Sequence, residues 1–291
     1  MQHAEQSMSA PEAPRQAQSV AIAVAPNGGR RGKQDHPALP IGPDELAETA
    51  EKCLIAGAAM IHVHVRDREG RHSLDPEAYR AATEAIRERV GRRLVVQMTS
   101  ESLGVFTPEQ QMETVRAVQP EAVSLALREL APDAAHEAVF ASFLDWLRRE
   151  RVMAQIILYS AEEASRLGEM EKRGLIPFDE VPVLFVLGRY SPGQISEPAD
   201  LLPFIDPRPP ASRHWMVCAF GHHETACVTA AALLGGHARV GFENNLHMPD
   251  GTLAAGNEDL VSAARKALEA CGLTLAGADD LRGQWAASAG S

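Results

Sequence analysis

From Ser19 onward, short β-branched or apolar runs alternate with longer stretches of helical periodicity, and the alternation repeats eight times before about residue 272. The strand candidates begin near Val20 (VAIAVA), Met60 (MIHVHV), Leu94 (LVVQM), Ala122 (AVSLAL), Met153 (MAQIIL), Val181 (VPVLFVL), Trp215 (WMVCAF) and Ala238 (ARVGF). Their spacing averages about thirty residues, the size of one βα unit. Start signals precede the intervening helices: Pro43-Asp44-Glu45, Asp75-Pro76-Glu77 and Thr107-Pro108-Glu109. Each places proline where a missing N–H costs little and a carboxylate where it meets the helix dipole. Strict alternation demands a parallel sheet with right-handed crossovers, either closed into a barrel or open and doubly wound. Eight units in about 255 residues match a (β/α)8 TIM barrel. No G-x-G-x-x-G follows the first strand, which weakens the open alternative. The expected fold is therefore the barrel, an α/β domain over residues 19–275 whose first and eighth strands are hydrogen-bonded. A disordered tail is expected over 1–18 and a C-terminal tail over 276–291.

Composition narrows the function classes. The 28 Lys and Arg against 39 Asp and Glu give a formal net charge of −11, which repels phosphate backbones and argues against nucleic acid as a partner. No apolar run reaches the roughly 18 residues of a membrane span. Residues 1–18 lack both the basic start and the apolar core of a secretory signal. Cys53, Cys218, Cys227 and Cys271 lie in apolar runs without C-x-x-C spacing, as expected of reduced core thiols. The expected setting is the cytoplasm.

Active-site groups of a barrel sit at the C-terminal ends of its strands. In MIHVHVRD, His62 and His64 share one face of a strand while Ile61, Val63 and Val65 take the other. Two readings stand for that pair: half of a zinc site, or two hydrogen-bonded histidines packed inside the barrel. The eighth strand adds Arg239, Gly241 and Glu243 on one parity. His62, His64 and Glu243 together offer two nitrogens and one oxygen, with an open position for substrate or water. Alternatively, Glu243 pairs with Arg239 or Arg66. Thr99 and Ser100 end the third strand and Ser124 lies in the fourth; these hydroxyls suit a substrate carboxylate or cap the next helices. His222 ends the seventh strand and is a candidate substrate contact. The first strand opens into Pro26-Asn27-Gly28-Gly29-Arg30-Arg31-Gly32-Lys33, whose glycines and cations favour anion binding over solvated loop charges. Asn27 and Arg30 are its candidate substrate contacts.

These motifs together resemble the β-keto acid cleavage enzyme family, whose founding activity is 3-keto-5-aminohexanoate cleavage. The likeness runs from about Val20 to Leu273 and is most specific in A-P-N-G-G, in A-G-A-A-M-I-H-V-H-V-R-D-R-E-G-R and in G-G-H-A-R-V-G-F-E-N-N. The resemblance implies a zinc-dependent barrel, usually a homotetramer. It also implies a retro-Claisen acyl transfer in which a β-keto acid and acetyl-CoA give acetoacetate and a new acyl-CoA. It makes His62, His64 and Glu243 the ligands of Zn2+ or another divalent metal, Arg239 the catalytic arginine, and Thr99 and Ser124 carboxylate contacts. Two departures stand out. Asn244 replaces an aspartate of the family's charge relay; an amide can orient Arg239 but cannot accept a proton at neutral pH. Arg30 stands where the aminohexanoate enzymes carry a glutamate suited to an amine. An anionic or polar distal substrate group is then expected, unless Arg30 pairs with Glu101 or Glu129 and leaves a neutral pocket. A metal-dependent hydrolase on the same fold and a non-catalytic binding protein are the competing classes.

Overall fold

The computed structural model describes residues 19–205, 212 and 214–288; the tail expected over 1–18 lies outside the described residues. Eight parallel strands close into a barrel: β1 (Ile22–Val24), β2 (Met60–Val63), β3 (Val95–Thr99), β4 (Ala122–Ala126), β5 (Met153–Leu158), β6 (Val183–Leu187), β7 (Trp215–Ala219) and β8 (His237–Val240). Neighbours follow chain order. Closure comes from β8 on β1, with Ala238, Arg239 and Val240 opposite Ile22, Ala23 and Val24. The barrel expected from the alternation is the fold observed.

The local signals explain the helices. Asp75 accepts a hydrogen bond from the Glu77 N–H at the start of the helix Pro76–Val90, and Thr107 and Gln110 cap the helix Pro108–Val118 reciprocally. Strand side chains alternate between two separate cores. Ile61, Val63, Val96, Met98, Val123 and Leu125 face outward into the layer shared with the helices. Ala23, Met60, Val95, Ala122, Leu184 and Met216 face inward and fill the barrel.

The segment assigned to a C-terminal tail is not a free extension over its described part. It carries the helix Ala278–Ser288, whose Leu281 and Trp285 are buried against the inward-facing core. Two apolar side chains four residues apart share a helix face, and burying them at the N-terminal end of the strands keeps water out of the barrel. Cysteine placement also differs at one position. Cys53, Cys218 and Cys227 are buried free thiols, whereas Cys271 ends the helix Asn257–Ala270 and is exposed. No helix among the described residues is long and apolar enough to cross a membrane.

Candidate active site

Strand register stacks polar side chains at the C-terminal end of the barrel. His62 lies opposite Gln97, and Thr99, Ser124 and Gln155 follow one another across β3, β4 and β5. Adjacent parallel strands in register point paired residues to the same side, so these groups all enter the interior. His62 Nδ1 lies 2.8 Å from Gln97 Oε1, and Gln97 Nε2 donates to Gln155 Oε1 at 3.1 Å. With its amide nitrogen used as donor, Gln97 accepts from His62 Nδ1–H, which leaves a lone pair on His62 Nε2. Burial lowers the His62 pKa to about 3, keeping the ring neutral.

Three atoms converge above this layer. His62 Nε2 and His64 Nε2 are 3.1 Å apart, and Glu243 Oε2 lies 3.6 Å from the first and 3.5 Å from the second. A tetrahedral zinc ion with bonds of about 2.0–2.1 Å has ligand–ligand edges of about 3.3–3.4 Å, so the triangle fits such a cation. Glu243 Oε2 is buried without a hydrogen-bond partner, an arrangement a cation completes. Burial works to raise the Glu243 carboxyl, but the Arg239 guanidinium foremost outweighs it and holds it well below the ordinary carboxylate range. His62, His64 and Glu243 are the group of metal-binding side chains that the described residues bring together.

Glu243 does not reach this point by strand alternation. β8 stops at Val240, and Gly241 turns the chain with φ +133°. A side chain there would put its Cβ 2.5 Å from the Ala25 carbonyl oxygen. Buried side chains from two helices hold the turn: Glu224 accepts the Gly241 N–H at 3.1 Å, and Asn257 accepts the Phe242 N–H at 2.9 Å. The Asn257 amide also donates to the Pro26 carbonyl, linking this turn to the loop after β1. In that loop Gly28, at φ +61°, packs so closely that a Cβ would lie 2.6 Å from Glu243 Cγ.

The remaining candidates separate into those that line the pocket and those that do not. Arg239 is buried, with Nη2 3.2 Å from Glu243 Oε1 and 3.4 Å from Cys218 Sγ; its Nε and Nη1 have no partner. Glu243 thus has one oxygen toward Arg239 and the other toward the histidines, and Arg66 is instead spent on the Gly28 and Arg31 carbonyls. Thr99 and Ser124 line the pocket, and the Ser124 hydroxyl is buried without a partner. Asn27 lines it too, but its amide is committed: Nδ2 donates to the His64 and Pro40 carbonyls, and Oδ1 lies 3.4 Å from the His64 nitrogen. Arg30 is exposed at the rim and forms no ion pair with Glu101 or Glu129, whose carboxylate accepts from the Ser102 N–H.

Three other candidates do not line the pocket in this structure. Ser100 is turned away, donating to the Ser124 carbonyl. His222 is exposed on the loop after β7, its ring tilted at 56° against His223 and outside the pocket lining. Asn244 is fully buried, yet neither amide atom has a partner, so it does not orient Arg239. The turn begun at Gly241 explains this, because parity no longer governs positions 241–245. Lys33, of the cationic loop, pairs with Glu45 instead of facing the pocket.

Other lining residues escaped the reading of the sequence. Glu101 Oε2 lies 3.8 Å from His64 Nδ1, behind the triangle, and burial pushes its carboxyl up. Arg189, after β6, crosses the mouth with its guanidinium over the Phe220 ring. Tyr159 lines the wall after β5. Gln97 and Gln155 carried a usable signal, each being a lone amide inside an apolar strand; Arg189 and Tyr159 lie beyond strand ends, where no periodicity marks them.

A closed parallel barrel with two imidazoles, a carboxylate and a buried arginine gathered at its C-terminal mouth has the arrangement of a barrel enzyme's active site. Residues 19–285 match the family model described as beta-keto acid cleavage enzyme, and the chain belongs to that family of enzymes. It is 28% identical over 272 residues to the 3-keto-5-aminohexanoate cleavage enzyme of Fusobacterium nucleatum, covering 91% of this chain and 97% of that protein. The 3-oxoadipate:acetyl-CoA acetyltransferase of Cupriavidus necator is 26% identical, over 89% of this chain and 92% of its own. Among solved structures, ObcA in a binary complex with oxaloacetate shares the fold, with a TM-score of 0.67 at 18% identity over 86% of this chain and 67% of that one.

Proposed function

We propose that this protein exchanges acyl groups between a β-keto acid and acetyl-CoA, releasing acetoacetate and a new acyl-CoA. The observation that carries the proposal is the triangle of His62 Nε2, His64 Nε2 and Glu243 Oε2, set beside the unpartnered Arg239 nitrogens and Ser124 hydroxyl. Those three atoms would hold Zn2+ or another divalent cation, which when bound supplies Lewis-acid polarisation of the keto carbonyl. The chain supplies the rest. Arg239 brings two unused N–H groups in a water-poor site to the oxygen on which charge develops, where preorganised donors act most strongly. Ser124 and Thr99 hold the substrate carboxylate, fixing the angle at which the acyl carbon meets its acceptor. Gln97 and Asn27 keep the two imidazoles aimed, one through a ring nitrogen and the other through the backbone. Asn244 has no part in moving a proton.

The distal substrate group is anionic or polar. Arg30 at the rim makes no ion pair among the described residues, and Arg189 stands at the same mouth, so an ammonium group would meet two cations there with Glu101 as the nearby buried carboxylate. Family names alone do not choose, since the two relatives above are named for an amine and for a diacid. Assembly as a homotetramer in the cytoplasm, with 19–275 as the catalytic domain, completes the proposal. A panel of dicarboxylic, aliphatic and aminated β-keto acids, assayed with acetyl-CoA and zinc-loaded protein, tests it. Fastest turnover of a dicarboxylic acid supports the proposal, faster turnover of the amine overturns the anionic reading, and product release without acetyl-CoA identifies a hydrolase instead.

A further inference from the structure

A second concavity lies away from the catalytic mouth. A cavity of about 760 Å³ opens at the opposite, N-terminal end of the barrel, between the starts of β4, β5 and β6 and the last helix. Arg92, Arg148, Arg149, Arg151 and Arg282 line it against one carboxylate, Glu121. Glu121 is already neutralised, bound by Arg87 and by Arg282 at 2.6 Å. Arg92 also reaches Glu121, at 3.9 Å, Arg282 also pairs with Asp279, at 2.7 Å, and Arg148 and Arg149 share Asp145, at 3.3 and 3.1 Å, which leaves more guanidinium groups than carboxylates; Arg151 has no ion pair among the described residues. Such a surplus of guanidinium groups opposes the −11 formal charge of the whole chain. Like charges gathered around one concavity repel one another unless an anion joins them. Arg151 also sits at φ +59°, a left-handed position that a non-glycine side chain occupies at some cost, and there it extends the row begun by Arg148 and Arg149. Half-buried Phe178 supplies an apolar wall facing this row, and Pro182 and Trp285 line the cavity as buried residues.

We propose that this cavity is a second ligand site, separate from the catalytic one, for an organic anion carrying two or more phosphoryl groups. Guanidinium forks match phosphoryl oxygens two at a time, and a chain of phosphates spans several of them. The apolar wall takes the flat body of a nucleotide. No phosphates are transferred; the ligand binds at the end of the barrel remote from His62 and Glu243.

Calorimetric titration of the zinc-loaded enzyme with ADP, and separately with pyrophosphate at matched ionic strength, tests the site. Saturable binding of ADP is expected. It should weaken about tenfold or more per arginine in the double variant Arg149→Ala, Arg151→Ala, and remain unchanged in Arg30→Ala, which touches the catalytic mouth. The double variant should keep its basal turnover. ADP binding more tightly than pyrophosphate supports the nucleotide body; equal affinity removes the apolar wall from the proposal and overturns that half of it. Binding that survives the double variant, or is lost in Arg30→Ala, overturns the site. So does a change in the assembly of the double variant by sedimentation, because the arginines would then be joining copies of the chain.

Discussion

The Nε2 atoms of His62 and His64 face one another at 3.1 Å, on residues separated by a single valine in the sequence. Neutral imidazoles satisfy each other poorly in that arrangement, and the approach of Glu243 Oε2 to both makes a cation the natural bridge. Dialysis against a chelator should therefore remove about one divalent ion per chain, lower the melting temperature and abolish turnover, with zinc restoring all three. Elemental analysis alongside a thermal melt is the check. An enzyme equally active and equally stable after metal removal would falsify the metal site.

Gln97 acts on the same pair from below. Replacing it by leucine removes the acceptor for His62 Nδ1–H while keeping bulk, and metal affinity should fall about 10–100-fold, the usual effect of an outer hydrogen bond on a histidine ligand. Competition with a fluorescent chelator measures this. Unaltered affinity would mean that strand packing alone orients the ring.

Asn257 reaches the site through backbone only, holding Phe242 N–H and the Pro26 carbonyl. Asn257→Ala leaves two buried backbone groups unpaired and should cost about 1–3 kcal/mol each in global stability. Because the freed turn carries Glu243, metal binding should weaken with it. Urea melts of the apo and zinc-loaded variant separate the two losses: the zinc-dependent part of the stability must shrink relative to wild type.

Arg30→Glu reverses the charge at the rim without touching the triangle. The ratio of kcat/KM for a dicarboxylic over an aminated β-keto acid should drop about tenfold or more, equivalent to about 1.4 kcal/mol of transition-state discrimination. A ratio that does not move would assign substrate choice to Arg189 or to the shape of the pocket.

Glu121 predicts a pH dependence of stability far from the chemistry. Burial works to raise its carboxyl, but Arg282 and Arg87 outweigh it and bring it below the ordinary 4.5. A depressed folded-state value stabilises the fold above the unfolded value, and that contribution fades as the pH falls through the folded value. The stability difference between wild type and Glu121→Gln should thus be full at neutral pH and shrink below about pH 4.5. A difference that is constant with pH would mean that Glu121 contributes through shape alone.

The architecture was legible because it rests on periodicity. Alternating β-branched runs and amphipathic helices, with proline and acidic starts, determine eight βα units of a parallel sheet buried on both faces, and eight is the number of units with which such a sheet closes. His62 and His64 were legible for the same reason: one strand, one parity, one face. Ser100, next to Thr99, stands apart from the pocket lining because the strand ends between them and its hydroxyl donates to the Ser124 carbonyl. The placement of His222, exposed on the loop after β7, was not legible because no periodic rule survives a loop.

Tertiary structure decided what those side chains meet. The sequence names Glu243 and Asn244 as neighbours, but only the turn at Gly241, held by Glu224 and Asn257 from separate helices, sends the first to the histidines and leaves the second buried and unpaired. Hydrogen bonds between residues 15 and 231 positions apart, such as Asn257 to Phe242 and to Pro26, have no local signature. They form because closing the barrel brings β8 against β1, and the energy of that closure lies in burial spread over every strand. The sequence by itself therefore determined the barrel and its histidine face; long-range packing decided where the carboxylate, the arginines and the second cavity stand.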